Sequence, residues 1–132
     1  MRTRTKARQR AVEAIFEAEQ RSVAVEEILE RNPDVNEYAI SLAKTVWLNL
    51  SRIDELIETY AKDWQLNRMP AVDRAIIRVA VGELLYEKEI ETNVVIAEAI
   101  EIAKNLSTEE SVKFINGVLS NLGNVRDTLS SW

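Results

Sequence analysis

Residues 68–86 read RMPAVDRAIIRVAVGELLY. Between Ala71 and Tyr86 apolar side chains fall on nearly every side of a helical wheel: Val72, Ile76, Ile77, Val79, Ala80, Val81, Leu84 and Leu85. A helix with one wet face shows an apolar stripe, whereas one that is apolar all round is enclosed by others. The spacing therefore predicts a central helix over 70–87. Pro70 suits its first turn, where a missing N–H costs nothing, and Asp73 lies near the positive end of the helix dipole. One charge is out of place. Glu83 falls among Val72, Ile76, Val79 and Ala80, where an unpaired carboxylate would be costly to bury. Either a Lys or Arg from another helix pairs with it inside the fold, or this face is an interface and the cation belongs to a partner.

Outward from this centre the chain reads as consecutive helices with short punctuation. Upstream, a first helix over roughly 4–20 carries Ala7, Ala11, Ala14, Ile15 and Ala18 on one stripe, with Val12 and Phe16 on its flank. That broad arc is either clasped on two sides or keeps one side for a partner. A short helix near 24–31 ends before Asn32-Pro33-Asp34, where proline forces a break. Residues 35–61 are helical again, and Ser51 with Asp54 looks like a cap that restarts the helix. Downstream, Asn93 caps a helix to 106 whose buried stripe is Val95, Ala99, Ile102, Ala103 and Leu106. Glu98 and Glu101 fall outside that stripe, on a solvated face. Ser107 with Glu110 makes a capping box for a last helix that ends at Gly123, a natural C-cap. Residues 124–132 form a tail or a final turn held by Leu129 and Trp132. About seven helices and no strand are expected: an all-α fold in one domain.

Composition closes off many functions. Among 132 residues there is no Cys and no His, which excludes disulfides, Cys/His zinc sites, thiol nucleophiles and imidazole catalysis. Glu98-x-x-Glu101 lacks the His at i+3 that inward carboxylates of di-iron bundles require. Neither a Gly-x-Gly-x-x-Gly nor a Gly-Lys-Ser/Thr phosphate loop is present. No enzyme, cofactor, metal or catalytic residue is expected, and neither a membrane span nor a signal peptide, so the protein is read as cytoplasmic.

Charge is unevenly placed. Residues 1–10 carry five basic side chains and no acidic one, while the other 122 carry 12 basic and 22 acidic; a +5 terminus thus precedes a −10 body, for a net −5. An acidic body disfavours nonspecific nucleic-acid binding, and a basic arm over residues 1–6, read as flexible, favours an anion met at one place. Near the other end Gly117 sits mid-helix at a cost of ~1 kcal/mol relative to Ala. With Asn116, Lys113 and Ser120 it offers a small polar surface open to close approach, although helix packing also accounts for it.

Taken together, AVEAIF at 11–16, YAISLAKTV at 38–46, AVDRAIIRVAVGELL at 71–85, EAIEIAK at 98–104 and KFINGVL at 113–119 resemble the NusB family of bacterial transcription antitermination factors. RMPAVDRA and NLSTEES are most similar to actinobacterial members. The resemblance implies two helical bundles sharing the central helix. It also implies joint binding of single-stranded boxA RNA with NusE, a small-subunit ribosomal protein, within an RNA polymerase complex that holds other Nus factors, by a monomer or a homodimer. Carried onto this chain, the RNA-binding residues would be Arg2, Arg4, Lys6, Arg8 and Arg10 of the basic terminus, with Lys113, Asn116 and Ser120. Phe16 and Glu83 would face NusE. Thr45 stands where the family often has Gly, and Ala97 where Asn or Asp is frequent. Two rival readings are a helical protein-interaction scaffold without RNA function, and a domain like the one that precedes RNA cytosine methyltransferases.

Overall fold

A computed structural model describes residues 3–32, 36–61 and 65–129, and among these residues there is no strand. Eight α-helices follow in order: α1 (Thr3–Arg21), α2 (Val25–Glu30), α3 (Glu37–Leu48), α4 (Leu50–Tyr60), α5 (Ala71–Tyr86), α6 (Thr92–Leu106), α7 (Glu109–Asn124) and α8 (Arg126–Leu129), with a 3₁₀ turn at Leu66–Arg68 before α5. The expected α5 is the centre: every residue from Ala75 to Leu85 is buried. It touches α1, α3, α4, α6, α7 and α8. Two bundles thus share one helix.

Local chemistry explains the boundaries, including those the sequence reading misplaced. Ser22 adopts the left-handed region at φ 55°, and Val23 N–H then donates back to the Ala18 carbonyl at 3.1 Å, which ends α1. Pro33 and Asp34 lie outside the described residues. The break between α3 and α4 falls at Asn49 rather than Ser51: the Asn49 side chain donates to the Thr45 carbonyl at 2.8 Å and so satisfies an orphan acceptor at the end of α3. Pro70 is the residue before α5, not within it, and α6 begins at Thr92 with no side-chain cap from Asn93. Thr108, not Ser107, caps α7, its hydroxyl accepting from Ser111 N–H at 3.1 Å. Ser107 and Ser111 instead donate at 2.7 Å each to the buried Asp73 carboxylate, tying the α6–α7 turn to the start of α5.

Gly123 does not cap α7 either; a Cβ there would lie 2.8 Å from Thr92 Cγ2, so it is Gly because two helices approach closely. The same holds for Gly82, where a Cβ would meet Val46 Cγ2 of α3 at 2.6 Å. The chain does not simply fray after α7. Leu129 is fully buried, and Arg126 donates to the carbonyls of Leu84, Glu87 and Ile90, stapling α8 over the C-terminal end of α5. Trp132 lies outside the described residues. On the other side of α5, Arg74 and Arg78 pair with Glu19 of α1, and Arg78 also with Asp54 of α4 at 2.8 Å.

Candidate nucleic-acid interface

The basic terminus is not a flexible arm over the residues described. Thr3 to Lys6 belong to α1, and Thr5 is buried. Arg2 lies outside the described residues. Within a helix, cations at every second position cannot point the same way: successive ones are about 200° apart, so 4 and 8 share one side while 6 and 10 share the other.

The first pair turns inward. Arg8 is buried, and its Nε donates to both carboxylate oxygens of Glu83 at 2.8 Å. Its Nη1 lies 3.6 Å from Glu98 of α6. Tyr38 of α3 donates its hydroxyl to Glu83 at 2.5 Å, and Thr5 donates to Glu98 at 2.6 Å. Burial, and then the hydrogen bond to Glu83, raise the Tyr38 pKa well above the usual phenol value. Three expectations are corrected by this cluster. Arg8 is not presented to RNA. Glu83 does not face a partner, because an Arg eight residues into the chain neutralises it inside the fold. Glu98 is not on a solvated face, because α1 covers it. A buried pair of this kind is held by its geometry and by the added hydroxyl donors, without which desolvation would outweigh the attraction.

Arg4 also turns toward α3 but stays exposed. Its guanidinium carbon lies 3.9 Å from the centroid of the Tyr38 ring, a cation–π contact on the outer side of the buried cluster.

The second pair is outward. Lys6 and Arg10 are exposed, Arg10 with a surface contact of 3.6 Å to Glu13 that holds it only weakly. Beside them Gln9 accepts from Asn105 of α6 at 3.4 Å, and Lys104 is exposed next to Asn105. These three polar residues escaped the sequence reading. A signal existed: Asn105 and Lys104 follow the buried Ile102 and Ala103 at the end of a stripe.

On α7, Lys113, Asn116 and Gly117 are exposed and Ser120 is half-buried. A Cβ on Gly117 would have nothing within 4 Å, so helix packing does not account for this glycine. Gly123, one turn beyond Ser120, packs on Thr92 and Ile96 of α6, which places Asn116 and Ser120 at the α6 edge of α7. Between the α1 and α7 groups, α6, which packs on both helices, carries Lys104 and Asn105.

Phe16 is half-buried in a groove of about 290 Å³ between α1 and α2, lined also by Arg10, Glu13, Glu17, Ile28, Leu29 and Asn32. It stands apart from Glu83, so the two residues expected on one partner surface are separated. Among the described residues no helix is long and apolar enough to cross a membrane.

Comparison with known proteins agrees with this architecture. The NusB family pattern matches residues 5–124. The transcription antitermination protein NusB of Thermobifida fusca is 50% identical, over 97% of this chain and 94% of its own. That of Kineococcus radiotolerans is 45% identical, over 99% and 100%. Among solved structures, T. maritima NusB superposes with a TM-score of 0.83 at 40% identity, over 94% of this chain and 93% of that one. A NusB solved with NusE and double-stranded RNA superposes at 0.82 with 28% identity, over 95% and 98%. Central helix, bundle pair and near full-length identity all converge: the chain belongs to the NusB family.

Proposed function

We propose that the antitermination function of this NusB-family chain works through RNA laid along α1, α6 and α7, with NusE docked beside it. The observation that carries this reading is the match to NusB proteins over nearly the whole chain, including one solved with NusE and RNA. The surface supports it. Lys6, Arg10, Lys104 and Lys113 supply outward charge for phosphates, and Gln9, Asn105 and Asn116 supply amides able to meet base edges. Arg8 and Glu83 take no direct part; they hold α1 so that Lys6 and Arg10 point out. Phe16, in its groove, is the residue we assign to the protein partner. Such a chain would capture boxA RNA as it leaves RNA polymerase, in the cytoplasm, and help assemble a termination-resistant complex with other Nus factors. It would act as an adaptor and not as an enzyme.

The test is RNA binding by fluorescence anisotropy, with and without NusE, using a single-stranded boxA oligonucleotide and a duplex competitor. Lys6→Ala and Arg10→Ala should each reduce the slope of log affinity against log salt by up to ~0.7, with helix content unchanged. Full affinity and an unchanged slope in both variants would remove α1 from the RNA surface. Capture of NusE with no RNA binding would favour the scaffold reading.

A further inference from the structure

Gly82 and Gly123 sit where a neighbouring helix leaves no room for a Cβ, whereas among the described residues nothing lies within 4 Å of the Cβ position of Gly117. Backbone conformation does not call for glycine there either, since no glycine of the chain has a positive φ. A glycine in the middle of an exposed helix weakens it relative to alanine, and neither packing nor geometry accounts for that loss. What the missing side chain leaves bare is backbone. A helical side chain leans toward the N-terminus and covers the carbonyls one turn before it, which for position 117 are those of Lys113 and Phe114. Each of these oxygens already accepts one N–H inside α7 and keeps a second lone pair. A hydroxyl brought close to Gly117 finds an acceptor waiting.

The surroundings say which hydroxyl. Lys113 lies one turn before Gly117 on the same face of α7, and Asn116 borders it. Both are exposed, and among the described residues neither side chain makes a hydrogen bond or an ion pair. A cation, a bare stretch of backbone and an uncommitted amide side by side match the three parts of a nucleotide: phosphate, sugar and base edge. A helix packed into the same gap would leave the Lys113 charge and the Asn116 amide without their complements. We propose that Gly117 selects ribose over deoxyribose, its bare backbone admitting the 2′-hydroxyl of one nucleotide, which donates to the Lys113 carbonyl oxygen. The 2′-hydroxyl is the group by which a protein tells RNA from DNA at a given position. The inference rests on the RNA-binding reading above and adds to it a discrimination by sugar that no charged residue provides.

Gly117→Ala closes the gap with one methyl, leaves every charge in place and should not harm the helix. Binding to a single-stranded boxA oligonucleotide would be measured across a salt series for the wild type, for Gly117→Ala and, as the charge control, for Lys113→Ala. Each nucleotide would then be replaced in turn by its 2′-deoxy form. The expected result is a loss of about three- to tenfold for Gly117→Ala, the weight of one neutral hydrogen bond, at an unchanged salt slope, while Lys113→Ala lowers the slope by up to ~0.7. One 2′-deoxy position should weaken the wild type by a similar factor and leave Gly117→Ala unaffected. Wild-type affinity in Gly117→Ala, or a loss that couples to no single 2′-deoxy position, would overturn the inference while leaving the RNA reading standing. So would a Gly117→Ala variant that keeps RNA affinity and loses capture of NusE, which would give the gap to the protein partner. No RNA binding by the wild type, alone or with NusE, would overturn both.

Discussion

Arg8 illustrates how a side chain can match a functional pattern and still serve the fold. Removing its counter-charge with Glu83→Ala would leave a guanidinium buried without its main partner, at an expected cost of about 3–5 kcal/mol, read as a lower midpoint in urea unfolding. Binding of NusE per folded molecule should be unchanged. Replacing both residues with apolar ones of similar size, Arg8→Met with Glu83→Leu, should recover much of the loss. The sequence marked Glu83 as anomalous but could not name its partner, because 75 residues separate the two side chains. Arg8 itself was legible in the helical pattern: it falls four and seven residues before Val12 and Ile15, on an inward line, whereas carrying the family's Arg-rich terminus onto the chain as one group set it beside the outward cations. Phe16 and the polar residues of α7 needed no long-range partner to be seen, and they are accessible where the sequence placed them.

At the level of helices, the three glycines test what small residues are for. Gly82→Ala would drive a methyl into Val46 Cγ2 at the α3–α5 crossing and should destabilise by about 1–3 kcal/mol. Adding Val46→Ala should return part of that. Gly117→Ala meets nothing and should stabilise the fold by roughly 0.5–1 kcal/mol through helix propensity; thermal unfolding would show opposite shifts for the two variants. Helix existence and order were legible from periodicity, and the all-round apolar pattern of α5 did mark the centre. The ends were not, since Ser51, Ser107 and Asn93 are all competent caps, and which of several neighbouring polar residues takes the role depends on the packing of the next helix. Ser107 is the plain case, drawn away from its cap position by Asp73 across the bundle.

Across the whole molecule, α1, α4 and α5 are joined by Glu19, Arg74, Arg78 and Asp54. Burial alone would raise the Glu19 pKa, but hydrogen bonds from Arg74 and Arg78 outweigh it and hold the group below its ordinary 4.5. A carboxylate lowered in the folded state contributes stability above the unfolded value and loses it as pH falls through the folded one. Wild-type stability should therefore fall by more than that of Glu19→Gln as pH drops below about 5, the variant starting lower at neutral pH; urea unfolding at a series of pH values measures both. A different consequence follows from the clamp on α1, whose hydrogen-bonded partners stand 75 and 93 residues further along the chain. Synthesis at about 5–20 residues per second delivers Glu98 roughly 5–20 s after Thr5. The first helix to leave the ribosome thus waits for the sixth before its N-terminal turn is locked, and a nascent chain arrested before residue 98 clears the exit tunnel should remain open to protease near Thr5, while one arrested well beyond it should not.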